Sequence, residues 1–195
     1  MKKTAVTTLT RLAILSAVII IMSFTPLGYL QIGPLALTFL TIPVAVGAVV
    51  MGPAAGAFLG LVFGITSFIN SFSGFMGQAL LAINPFFTFI LCVVPRVLEG
   101  FLSALIYKAL SKKDKKGIWS VSAASISCPV LNTILFMSTL VLLFGRSDYI
   151  LNLRNGANVF VFVCTMVGIQ AVVEAVVCAV AAALISSAMI KIFKR

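Results

Sequence analysis

Few side chains in this chain can do chemistry, and their types limit what that chemistry is. Histidine is absent, and only four acidic residues occur in 195. Without histidine, no serine or cysteine nucleophile has an imidazole base, and no metal has an imidazole ligand. Asp114 and Asp148 fall in polar loops expected on opposite sides of a membrane. No Gly-rich Walker loop is present, so the chain is not expected to hold ATP in that way. Cys92, Cys128, Cys164 and Cys178 lie inside apolar runs without CxxC spacing and read as inert, buried thiols. No catalytic residue, metal or cofactor is therefore expected.

What remains is a small polar set embedded in apolar sequence: Arg96, Glu99, Asn132, Gln170 and Glu174. Asn70, Gln78, Asn84 and Asn158 lie nearer the outer ends of the apolar segments. Arg96 and Glu99 stand at i, i+3 on one helix and can pair directly. Glu174 falls midway along the last segment, with Gln170 one turn away on the same face. Polar groups at membrane depth are costly unless they have a partner or a task. Two readings follow: a satisfied polar knot joining three helices, or a binding site.

Composition requires these residues to be positioned by a bundle in lipid. Hydrophobic residues make up 62% of the chain and charged residues 9%, against roughly 25% charged in soluble domains. A crossing needs roughly 20 apolar residues, so one membrane domain over residues 1–195 is expected, all-α, with six transmembrane helices. They are expected over 8–26, 36–51, 54–72, 84–110, 118–144 and from the loop at 145–158 to near 193. Residues 28–34 and 71–82 read as loops, the second as a loop or short re-entrant element, and Gly52-Pro53 as a tight turn. The first segment has a basic start but no clear small-x-small cleavage site, and is expected to be a retained helix.

The net charge of +10 is gathered at segment ends. With both termini inside, eleven Lys and Arg face the cytoplasm and only Arg146 and Arg154 face outward, which is the positive-inside pattern. This favours a multi-pass membrane protein, touching lipid headgroups, over a nucleic-acid partner. Gly52, Gly56, Gly60 and Gly64 recur at i, i+4 and form a small-residue stripe for close helix packing. Ala13 with Ala17, and Ala179 with Ala183, form shorter stripes.

Three stretches carry a resemblance: Ile32-Gly33-Pro34-Leu35-Ala36-Leu37-Thr38, then Ile42-Pro43-Val44, then Met51-Gly52-Pro53-Ala54-Ala55-Gly56. Val94-Pro95-Arg96-Val97-Leu98-Glu99-Gly100 and Asn132-Thr133 continue it. In order and spacing this resembles the substrate-binding S components of energy-coupling factor (ECF) vitamin transporters, over most of the chain. The resemblance implies a vitamin-capturing subunit that works with a transmembrane coupling protein and two cytosolic ATPases. It also implies toppling in the membrane to carry the occupied site inward, with Ala13 and Ala17 facing the coupling protein.

The pattern is most similar to the pantothenate type. On that reading Arg96 offers a planar, permanently charged fork to a carboxylate. Asn84, Asn132 and Gln170 serve as hydrogen-bonding partners with Glu174 beside them, and Phe86, Phe87 and Phe136 enclose the apolar part. Folate would ask for the same cation, whereas riboflavin lacks a carboxylate. A freestanding secondary transporter or channel is the other class to weigh, although no convincing internal repeat is visible.

Overall fold

The computed structural model describes residues 2–26, 28–32, 35–112, 114, 118–154, 156, 158, 161, 172–186 and 188. Helix α1 is Lys2–Ser23, followed by strands β1 (Tyr29–Ile32) and β2 (Leu35–Thr38). Then come α2 (Thr41–Met51), α3 (Pro53–Asn70), α4 (Phe75–Ile83), α5 (Pro85–Ser111), α6 (Ile118–Phe144) and α7 (Asp148–Arg154). A further apolar helix, α8, covers Val172–Ser186. Among the described residues, four helical stretches are long and apolar enough to cross a membrane: Val6–Ser23, Pro53–Asn70, Pro85–Ser111 and Trp119–Phe144. Helices α2 and α8 are shorter apolar helices.

The second helix differs from the sequence expectation. It begins at Thr41 instead of residue 36, and the expected loop and first helical turn form an antiparallel hairpin pairing Tyr29 with Thr38 and Ile32 with Leu35. Pro43 gives the physical reason. A helix starting at 36 would place Pro43 in its interior, where the ring collides with the carbonyl four residues earlier. Started at Thr41, the same proline occupies the first turn, where the N–H has no helical partner to lose. The loops expected at 71–82 and 145–158 also contain the short helices α4 and α7.

Helix α5 is the shaft of the bundle, packing against α2, α3, α4 and α6. The glycine stripe sets its approach to α3. A Cβ at Gly56 would strike the carbonyl of Gly100, one at Gly60 the carbonyl of Arg96, and one at Gly64 would stand 2.8 Å from the Val93 Cα. The two backbones therefore touch directly, and the stripe fixes the height of Arg96. Gly52, with φ +91°, makes the turn between α2 and α3, a conformation that disfavours a side chain.

One apolar cluster joins Ile19, Leu40, Val44, Leu59, Phe63, Cys128 and Ala182 near the hairpin. A second joins Leu80, Leu91, Met137, Leu140, Phe144 and Ile150, so α4 and α7 gather over the same ends of α5 and α6. At that end Asn70 Nδ2 donates to the Ser23 carbonyl (2.8 Å), and Ser23 Oγ donates to Thr66 Oγ1 (2.9 Å).

Candidate substrate-binding site

The site grows from a broken helical ladder. Pro95 lies inside α5 and has no N–H, so the carbonyl of Leu91, four residues earlier, has no helical donor. Arg96 Nη1 donates to that carbonyl at 2.9 Å. The proline thus creates the acceptor that holds the neighbouring arginine. The guanidinium carbon of Arg96 sits 4.5 Å from the Phe136 ring centroid and 5.4 Å from that of Phe63, both within cation–π range. Arg96 is buried, and its Nε has no hydrogen-bond partner among the described residues. It lies eleven residues into α5 from Pro85, about 16 Å down the helix.

Glu99, one turn further along, is fully buried, and neither carboxyl oxygen has a partner among the described residues. The direct Arg96–Glu99 pair that their spacing allows is therefore not formed, because the Leu91 carbonyl and the two rings hold the guanidinium. Asn132 on α6 is buried beside the Glu174 carboxylate of α8, and its Oδ1 has no partner among the described residues. Glu174 accepts the Thr38 N–H through Oε2 at 3.2 Å, while Oε1 has no partner among the described residues.

The hairpin closes this constellation. Thr41 opens α2 where its carbonyl accepts Cys128 Sγ at 3.7 Å, and Cys128 lies sixteen residues from the Phe144 end of α6. Helix α2 therefore begins deep in the bundle, and the hairpin and its flanks occupy the rest of that crossing. Irregular backbone at such depth survives only where protein or a polar cavity satisfies it. Glu174 serves the Thr38 N–H, and Cys178 Sγ donates to the Thr38 carbonyl at 3.6 Å. Tyr29, on the opposite strand, is half-buried near Ser67 and Asn70, and its hydroxyl has no hydrogen-bond partner among the described residues.

The structure thus brings Arg96, Asn132 and Glu174 into one buried cluster. Asn84 lies elsewhere, as the N-cap of α5. Its Oδ1 accepts the N–H groups of Phe86 (3.0 Å) and Phe87 (3.2 Å). Gln170 and Cys164 lie outside the described residues. Of the three expected aromatic walls, Phe136 faces Arg96. Phe86 is exposed, and Phe87 packs edge-on against Phe144. Ala13 and Ala17 are exposed on α1. Phe63, Tyr29 and the Thr38 backbone were not anticipated. Phe63, Ser67 and Asn70 continue the face marked by Gly56 and Gly60, and that periodicity was the available signal.

Apolar helices long enough to span a bilayer, packed around a buried and incompletely satisfied polar cluster, describe a membrane protein. Residues 7–186 match the family described as "ECF transporter, substrate-specific component", and the chain belongs to that family, as a multi-pass protein of the bacterial plasma membrane. It is 28% identical over 162 residues to the pantothenic acid transporter PanT of Lactococcus lactis, covering 75% of this chain and 79% of the relative.

Proposed function

We propose that this chain is the vitamin-capturing subunit of an ECF importer and that its substrate is pantothenate. The observation that carries the reading is Arg96, clamped between Phe63 and Phe136 with its Nε unpartnered in a buried site. A buried cation with an unused donor calls for an anion, and pantothenate brings a carboxylate. Its hydroxyls and amide N–H match the unpartnered oxygens of Asn132 and Glu174. Gln170, one turn from Glu174 in sequence, extends that wall, and Asn84 steadies the outer end of α5 through its cap. The similarity to a pantothenic acid transporter supports the choice of ligand.

In this reading α2 with the hairpin, and α8 with the residues before it, complete six crossings with both termini in the cytoplasm, as the lysine placement favours. The exposed small residues Ala13 and Ala17 of α1 meet a transmembrane coupling protein served by two cytosolic ATPases, and the subunit topples to deliver its cargo. The chain itself catalyses nothing.

Calorimetric titration of the purified protein with a vitamin panel tests the proposal. One-to-one pantothenate binding, lost in Arg96→Ala, is the expected result. Preference for folate or riboflavin would reassign the substrate. Ion-driven transport by the chain alone, without vitamin binding, would replace the reading with a freestanding carrier.

A further inference from the structure

The mode of binding assigned above leaves Glu99 without a role, yet Glu99 is the most completely enclosed charged-type residue of the site. It is 0% exposed, and neither oxygen is hydrogen-bonded among the described residues. An ionised carboxylate in that position would lack any donor among the described residues, and a buried charge without a partner is strongly disfavoured. The nearby cation offers no direct bond, since Arg96 is drawn toward Leu91 and stacked between two rings. The titratable or charged groups around Glu99 are Arg96 on α5, Glu174 and Cys178 on α8 and Cys128 on α6, while α2 and α3 carry none. If Glu99 were ionised it would also cancel the positive field that an anionic ligand needs from Arg96.

As a neutral acid Glu99 presents one O–H donor and one carbonyl acceptor, and no described residue uses either. Asn132 Oδ1, buried in the same cluster, is an acceptor in the same position. Along α5, Glu99 stands three residues past Arg96, about 4.5 Å deeper. A ligand with its carboxylate on Arg96 would place the next part of its body at that level.

Resting on the pantothenate reading, we propose that Glu99 is a ligand-contacting, specificity-determining residue. It binds as the uncharged acid, exchanging hydrogen bonds with the amide or hydroxyl part of the vitamin while Arg96 takes the carboxylate. No covalent step is involved, and the proton stays on Glu99 throughout.

The test uses calorimetry on the full chain with two probes: pantothenate, and pantothenol, in which a hydroxymethyl group replaces the carboxylate. Glu99→Gln retains a donor and an acceptor in place, and is expected to bind pantothenate within about threefold of the unaltered protein. Glu99→Leu removes both and is expected to weaken binding about thirtyfold or more. Both variants keep the preference for pantothenate over pantothenol, because Arg96 is untouched. In two buffers of different ionisation heat, the unaltered protein takes up and releases no proton on binding. If the leucine variant does not fold, Glu99→Met, of similar length and without a hydrogen-bond donor, takes its place with the same expected loss.

Equal damage from Glu99→Gln and Glu99→Leu, or a proton taken up or released on binding and absent in Glu99→Gln, would overturn the neutral-acid role. Unchanged binding in Glu99→Leu would remove Glu99 from the site. Failure of the pantothenate reading is separately visible: the unaltered protein would not bind pantothenate, or would not prefer it to pantothenol.

Discussion

Replacing Pro95 by alanine should make the protein more stable and a poorer binder at once. The alanine N–H would claim the Leu91 carbonyl that Arg96 Nη1 now occupies at 2.9 Å. Proline in a helix interior is about 3 kcal/mol less favourable than alanine. Because α5 and its neighbours are already fitted around Pro95, we expect about 1–2 kcal/mol of that to be regained. For a chain of this size this corresponds to a melting temperature raised by about 2–8 °C. Against that, Arg96 would lose its anchor. Hydrogen bonds to charged groups contribute about 1.5–3 kcal/mol, and a carbonyl has two lone pairs to share, so part of the anchor persists. The expected loss is about tenfold in pantothenate affinity. Thermal denaturation without ligand and calorimetric titration of the same preparation measure the two halves. A lower melting temperature with unchanged affinity would refute the idea that the missing N–H orients Arg96.

Four further expectations follow. Gly60→Ala drives a methyl into the Arg96 carbonyl and should cost about 1–3 kcal/mol despite better helix propensity. Gly74→Ala, whose Cβ would meet only the Asn70 carbonyl at 3.7 Å, should be near neutral in the same denaturation assay. Asn84→Ala removes the α5 cap and should cost about 1 kcal/mol, with Asn84→Asp retaining most of it; hydrogen exchange of the Phe86 and Phe87 amides reads this directly. Leucine at both Ala13 and Ala17 should leave vitamin binding intact while abolishing co-purification with the coupling protein. Retained co-purification would remove that face of α1 from the proposed contact.

The long helices were legible because twenty-odd apolar residues between polar loops have few alternatives in lipid. The segment before α2 was not, since Leu35–Thr38 is as apolar as a helix and only the position of Pro43 betrays the later start. Arg96, Asn132 and Glu174 were legible as buried polar residues because each is conspicuous in apolar sequence. The aromatic clamp could not be read the same way: sixteen phenylalanines occur, and composition does not say which two face a guanidinium. The spacing of Arg96 and Glu99 suggested a salt bridge because i, i+3 neighbours usually meet. The acceptor freed by Pro95 won that competition, and it becomes visible only when the carbonyl four residues before a proline is followed to its new donor.

The contact between Thr38 and Glu174 has one more consequence. The Thr38 N–H leaves its strand to reach a carboxylate on α8, 136 positions along the chain. That amide is therefore a natural gauge of whether the wall formed by α8 is in place. If a bound solute recruits Glu174, the rate at which this single proton exchanges with solvent should change while amides in the middle of α3 keep theirs. Occupancy could then be followed in the membrane without any label attached to the vitamin.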